Sequence, residues 1–306
     1  MAAEVLNSSS VFRLNFCAKL NICASISATS PSRKTLVASL KTRSDRQNKM
    51  FKMKRLKKIL IITGTLIALF VLIYLSIFWT TKYWFSDNYK FGQYTLYTNS
   101  KFDNSSEFLD KIDQRLRACE LYDDKLEHNI YLFSSESKFK FYATIAGSGY
   151  PAQGFNMNAF NKIYISRPFI EQVHSDRKSA NKIVPYSAME GNIEETICHE
   201  IIHSFVYNKI GSKRASSLPT WKQEGYAEYA ANLLPKSIDT TYNFKNRVEL
   251  YKDTSFWEGN QFVFEYYEAE ILVEFLIDIK KMTFDQLMAD TFTYDLAVKE
   301  LNEYKF

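Results

Sequence analysis

Cysteine and histidine are scarce in this chain, four of each in 306 residues, and that scarcity removes several readings at once. Cys17 and Cys23 precede the one long apolar run and Cys119 and Cys198 follow it, with no CxxC pair. A disulfide-stapled scaffold is therefore not expected. A cysteine peptidase is not expected either, because the chain offers no independent catalytic pair. Cys198 reads instead as a small buried side chain. Internal repeats and low-complexity tracts are also missing from residues 86–306.

Net positive charge is missing from most of the chain, although the total is +5. Residues 1–58 hold thirteen Lys or Arg against only Glu4 and Asp45, a net of +11, so the remainder carries −6. The basicity belongs to the amino-terminal stretch, and a nucleic-acid partner loses its support.

What the chain does contain is one uncharged run, Ile59 to Trp79. Twenty-one residues at helical rise reach about 31 Å, the thickness of a hydrocarbon core. A cleaved signal peptide would carry a shorter apolar region followed by small residues. Here Phe78, Trp79, Tyr83, Trp84 and Phe85 follow, as in an interfacial aromatic belt, so residues 59–79 are expected to be an uncleaved transmembrane signal anchor in contact with the lipid bilayer. Lys49, Lys52, Lys54, Arg55, Lys57 and Lys58 crowd its amino side. The positive-inside rule then predicts a cytoplasmic amino terminus and an extracytoplasmic domain over 86–306. Residues 1–58 read as a basic, disordered cytoplasmic leader. The composition of the first 48 also fits an organellar transit peptide, or sequence upstream of a start at Met50 or Met53.

The chemistry is concentrated in His199-Glu200-Ile201-Ile202-His203 and in Trp221-Lys222-Gln223-Glu224-Gly225-Tyr226-Ala227-Glu228. Positions i and i+4 share a helix face, so the imidazoles of His199 and His203 can meet on one zinc ion. Glu200 is turned away from that pair but can reach a water beside the metal, which suits a general base. A catalytic zinc takes three protein ligands and leaves one position open, and Glu224 is the best candidate for the third. An amphipathic core helix with satisfied histidines is the competing reading of the bare motif.

With twenty residues between His203 and Glu224, the HExxH helix and the Glu-Gly-Tyr-Ala-Glu run resemble the gluzincin metallopeptidases, which include thermolysin and related aminopeptidases. The resemblance implies one Zn2+ per chain and hydrolysis of a peptide or protein substrate by an activated water, with Glu200 as base and proton shuttle. It also implies that Glu228 orients His199. As a packing residue, Gly225 is expected to permit close helix approach near the metal. No histidine follows His203, so a thermolysin-type downstream histidine is absent. The aminopeptidase-type alternative is a tyrosine from the segment Phe262 to Leu276, where alignment favours Tyr266 over Tyr267 as the oxyanion donor. The resemblance implies an α+β zincin-like domain, with a small mixed sheet bearing an edge strand, the HExxH helix and a helical lower lobe.

Periodicity supports that order. Helices are expected over Ser105 to Leu121 and Ser137 to Ala146, and strands over Asn129 to Ser134, Gln153 to Asn158 and Asn161 to Ser166. Asn158-Ala159-Phe160 is the candidate for part of a substrate-pairing edge, with Gly154 nearby for close approach, and an ordinary hairpin is the alternative. Pro235 is expected to stop the Glu224 helix, and residues 260–304 are expected to be mostly helical. A second functional class is a membrane-anchored binding or scaffold protein that keeps the fold without catalysis.

Overall fold

The computed structural model describes residues 33–149, 151–179, 184, 186, 192–259 and 261–306, with backbone alone for 33–48. Residues 1–32 of the leader lie outside the described residues. The chain divides into two compact units, Met1–Tyr74 and Leu75–Phe306.

Helix α1 runs from Arg33 to Trp79, and its portion Lys49–Trp79 is long and apolar enough to cross a membrane. Helical backbone thus extends into the leader, where composition suggests disorder. From residue 33 to 63 the sequence has neither proline nor glycine, so nothing in it interrupts the helix that the apolar run continues.

The second unit is α+β. A hairpin of β1 (Asp87–Phe91) and β2 (Tyr94–Thr98), turned by Gly92 at φ 54°, was not anticipated from periodicity because both strands are short and their exposed positions polar. Then follow α2 (Ser105–Arg117), β3 (His128–Phe133), α3 (Glu136–Ala146), β4 (Gly154–Met157) and β5 (Lys162–Ser166). The sheet is mixed, in the order β1-β2-β3-β5-β4, with β2, β3 and β5 parallel and β1 and β4 antiparallel to their neighbours. Strand β4 is therefore an edge. Asn158–Phe160 is a 3₁₀ turn joining β4 to β5, closed by Asn161 at φ 50°, so the edge is β4 itself and the hairpin alternative holds for that tripeptide.

Alternation gives the sheet two chemically different faces. Leu96, Ile130 and Ile163 stand in register on one, beside Leu132 and Ile165, and join the core with Leu109, Ile112 and Leu116 of α2. The other is aromatic: Tyr97, Tyr131, Tyr164 and Phe155 form a ladder across four strands, with ring centroids 4.8, 5.2 and 4.6 Å apart. Stacked pairs of this kind contribute about 0.5–1.5 kcal/mol each beyond their buried area. Phe78 covers the ladder edge-on to Tyr164, Phe85 contacts Tyr131 and Phe133, and the Thr81 and Tyr164 hydroxyls lie 3.3 Å apart. The end of the apolar helix is thus built into the folded unit.

After β5 come α4 (Arg167–Ser179), α5 (Ile193–Ile210), α6 (Ser212–Ala215), α7 (Thr220–Ala231), α8 (Leu233–Ile238), α9 (Phe244–Lys252), α10 (Thr254–Trp257), α11 (Gln261–Glu274), α12 (Phe284–Leu287) and α13 (Tyr294–Glu303). The expected helical tail is found. Pro235 does not stop α7, which ends at Ala231. It sits in the first turn of α8, where its missing N–H has no helical partner to lose.

His128 lies on the aliphatic face, 1 % exposed, stacked on Tyr94 and edge-on to Phe205. Neither ring nitrogen has a hydrogen-bond partner among the described residues, and burial pushes its pKa from 6.5 down to about 4. The unfolded chain binds this proton below pH 6.5 and the native chain does not, so stability falls as pH drops from 6.5 toward 4, by roughly 3 kcal/mol. Replacing His128 by Phe should flatten that limb of the stability profile. Denaturant melts between pH 7 and 4 check it, and an unchanged slope would refute the assignment.

Candidate metal centre

Helix α5 begins at Asn192, whose side chain accepts the N–H groups of Glu194 and Glu195 at 2.9 and 3.5 Å. Those two acids place negative charge at the positive end of the helix dipole. Buried residues then run from Thr196 to Val206 with His203 partly open. Such a helix is apolar nearly all round, so its histidines and Glu200 sit in the interior and not on a solvent face.

Helix α7 crosses behind α5 and is wedged against α11. A Cβ on Gly225 would stand 2.3 Å from the Ala269 carbonyl oxygen and 2.9 Å from Val273 Cγ2, so only glycine permits this approach. Glu224 and Glu228 flank that contact, one turn apart on α7. From α5 and α7 together, His199 Nε2 and His203 Nε2 come within 3.1 Å of each other and within 3.2 and 3.6 Å of Glu224 Oε2. Tetrahedral ligands bonded at zinc distances of about 2.0–2.1 Å stand about 3.3 Å apart, which these three spacings match. The donor set of two imidazoles and one carboxylate could therefore hold a divalent ion.

The other nitrogen of His199, Nδ1, lies 3.3 Å from Glu228 Oε1, a carboxylate with no exposure to solvent. That contact orients the ring with Nε2 toward Glu224 and His203. Burial would lower the His199 pKa, but hydrogen bonds and charge from Glu224 and Glu228 outweigh it and raise it well above the ordinary value. Burial works the opposite way on Glu224, yet the facing His203 and His199 hold its carboxyl well below the usual range. Two carboxylates thus flank His199 and stabilise positive charge there.

Glu200 is buried and its pKa is raised, by burial first, with the nearby His203 and His199 opposing. Its carboxylate faces the edge strand at Gly154, where a Cβ would lie 3.0 Å from Glu200 Oε1. Gly154 thus leaves room for the Glu200 side chain against the edge strand. Asn156, two residues along β4, donates from Nδ2 to Ser204 Oγ at 2.7 Å and to the Glu200 carbonyl, clamping the edge strand to α5. Sequence reading missed Asn156, because an Asn in a short strand gives no signal of its cross-structure partner.

The two tyrosines part company. Tyr266 lines the cleft, with its ring 6.3 Å from that of His199, and burial followed by the charges of Glu224 and Glu200 raises its pKa. Tyr267 points away, packs on Trp257 and donates to the Arg247 carbonyl at 3.1 Å. One turn beyond Tyr266, Glu270 joins Glu274, Lys236 and Arg247 in a buried ring of four charges, with contacts of 2.8 and 2.6 Å to Lys236 and 2.6 and 2.5 Å to Arg247. Burial would raise the Glu270 pKa, but Arg247 and Lys236 hold it down and keep it ionised. This ring ties α8 and α9 to α11 and so sets the rotation that presents Tyr266. On the far side, Arg115 of α2 donates to Glu195 at 2.8 Å and Asn232 at 3.4 Å, and Asn232 donates to the Glu228 carbonyl at 3.0 Å. Cys119 and Cys198 are buried and unbridged, as expected of Cys198.

The cleft over these groups has a volume of about 460 Å³ and is open between β4 on one side and α11, with Phe262 and Tyr266, on the other. Gly225→Ala should cost about 1–3 kcal/mol through overpacking against backbone. It should also displace Glu224 from the histidine pair, lowering affinity for Zn2+ at the same time. Paired denaturant and metal titrations check this, and a variant as stable and as tight as the parent would show that the helix contact is not what sets the donors. No model of a known protein family matches the chain, and no curated protein matches it significantly. The chemistry of the cleft itself must carry the functional reading.

Proposed function

We propose that this chain is a single-pass, membrane-anchored zinc metallopeptidase of the gluzincin type, with a zincin-like catalytic domain outside the cytoplasm. The observation that carries the reading is the convergence of His199, His203 and Glu224 at tetrahedral spacing, with the unligated Glu200 facing an open edge strand in the same cleft. Bound there, zinc would polarise a scissile carbonyl and make water a usable nucleophile near neutral pH.

The chain's own groups divide the remaining work. His199, His203 and Glu224 hold the ion, and Glu228 keeps His199 in the donor tautomer. Glu200 accepts a proton from the attacking water at its carboxylate and returns it to the departing amine. Strand β4, an edge of the sheet among the described residues, would offer its backbone N–H and C=O groups to an extended peptide, the geometry of strand addition. Tyr266 donates its O–H toward the carbonyl oxygen as negative charge develops there, and burial strengthens that hydrogen bond. The charge asymmetry around residues 59–79 supports an amino terminus in the cytoplasm, so the substrate would be an extracytoplasmic peptide or protein.

Glu200→Gln should retain zinc at parental stoichiometry and lose measurable turnover of a peptide library. Full turnover in that variant would exclude Glu200 as the base. Chelator-insensitive cleavage would exclude a metal-dependent mechanism, and no cleavage by the parent would leave the anchored scaffold as the better reading. Tyr266→Phe should lower kcat about 10²–10³-fold with zinc content unchanged. Tyr267→Phe should leave kcat near that of the parent, and the reverse pattern would exchange their roles.

A further inference from the structure

In the Leu75–Phe306 unit, large apolar side chains more than half exposed are few, and four of them are Trp79 at 70 %, Tyr83 at 76 %, Trp84 at 57 % and Phe141 at 52 %. The first three lie at the end of α1 and in the 3₁₀ turn Thr81–Trp84. Phe141 lies on α3, which meets that turn through Lys138. Lys138 Nζ stands 5.9 Å from the centre of the Trp84 ring, and Phe141 and Ile145 follow Lys138 on the same helical face at i+3 and i+7. Two separate elements therefore present one aromatic and basic surface.

Within the Leu75–Phe306 unit the aromatic turn is held to the sheet. Phe78 is fully buried against Tyr164 and Tyr142, Lys162 donates to the Phe78 carbonyl, Thr81 meets the Tyr164 hydroxyl, and Phe85 is wedged on Tyr131 and Phe133. The turn carrying Trp79, Tyr83 and Trp84 is thereby fixed to the sheet against which α3 also packs. Wherever those three rings come to rest, the Lys138–Phe141–Ile145 stripe must follow.

Water is a poor environment for such a stripe. Amphipathic aromatic rings with lysines beside them suit the headgroup layer, where the ring contacts acyl chains and the ammonium meets phosphate. The occupant is indicated by continuity: Trp79 is the last residue of the helix that is long enough to span a bilayer, so on the spanning reading lipid headgroups would begin where this surface begins. We propose that Trp79, Tyr83 and Trp84 together with Lys138, Phe141 and Ile145 form a bilayer-contact surface, on which the outer domain rests against the membrane crossed by its own helix. The proposal rests on the membrane-spanning reading of residues 59–79 and not on the peptidase reading.

Spin labels test it in the full chain, reconstituted into vesicles of phosphatidylcholine and phosphatidylglycerol. Cys17 and Cys23 are replaced by Ser, Cys119 and Cys198 remain buried, and single cysteines are placed by Leu66→Cys or Phe141→Cys. Accessibility to oxygen relative to a water-soluble nickel chelate reports depth. The label at 66 should give the high ratio of hydrocarbon. The label at 141 should give a ratio between that at 66 and that of free label in buffer, and adding Lys138→Glu should lower it. A hydrocarbon value at 66 with a buffer value at 141 would overturn the contact surface while leaving the span intact. Protection of 141 from both oxygen and chelate would mean a protein neighbour covers it and would equally overturn it. A buffer value at 66 would instead defeat the spanning reading on which the proposal rests.

Discussion

The contact between α7 and α11 at Gly225 is the constraint on which the rest of the site depends. Two histidines one turn apart on α5 supply two of the three donors of the candidate cation site, and the carboxylate has to arrive from another helix. It arrives because a backbone without a side chain lets α7 lie against the Ala269 carbonyl, which places Glu224 within 3.6 Å of both imidazole nitrogens. The same contact places Glu228 behind His199 and brings Tyr266 of α11 to the opposite wall. A single close helix crossing thus positions a donor, the carboxylate that orients its neighbour, and a hydroxyl.

Holding that crossing in a buried interior requires that many charges be satisfied away from water. Arg115, Glu195 and Asn232 form one polar chain behind α5, and Lys236, Arg247, Glu270 and Glu274 form a neutral ring beneath α11. Buried ion pairs of this sort add little net stability, but removing one member leaves an uncompensated charge at a cost of about 3–5 kcal/mol. Their effect is to fix helix rotation. The aromatic ladder does the corresponding work on the far side of the sheet, joining the end of the apolar helix to the folded unit.

The sequence made the site far more legible than the scaffold. HExxH followed by Glu-Gly-Tyr-Ala-Glu carries its own geometry, because i and i+4 spacing on a helix dictates a shared face whatever surrounds it. His199, His203, Glu224, Glu228 and Gly225 come together as that pattern implies, and Tyr266 rather than Tyr267 enters the cleft. What depended on pairing between distant segments was not legible. The four-charge ring joins residues 23 to 38 apart and the Asn156 clamp reaches 44 and 48 residues along, separations that no local period announces, while the β1–β2 hairpin is local but its strands are too short to show a period. Pro235 misled for a local reason, since proline ends a helix in its interior and begins one in its first turn.

The convergence of the three donors is most directly tested by titrating the metal-free full chain with Zn2+ against a chromophoric chelator, alongside Glu224→Ala and His203→Ala. The account predicts one tight ion per chain in the parent, and affinity weakened by orders of magnitude in both variants. Equal affinity in all three proteins, or no stoichiometric binding by the parent, would contradict it.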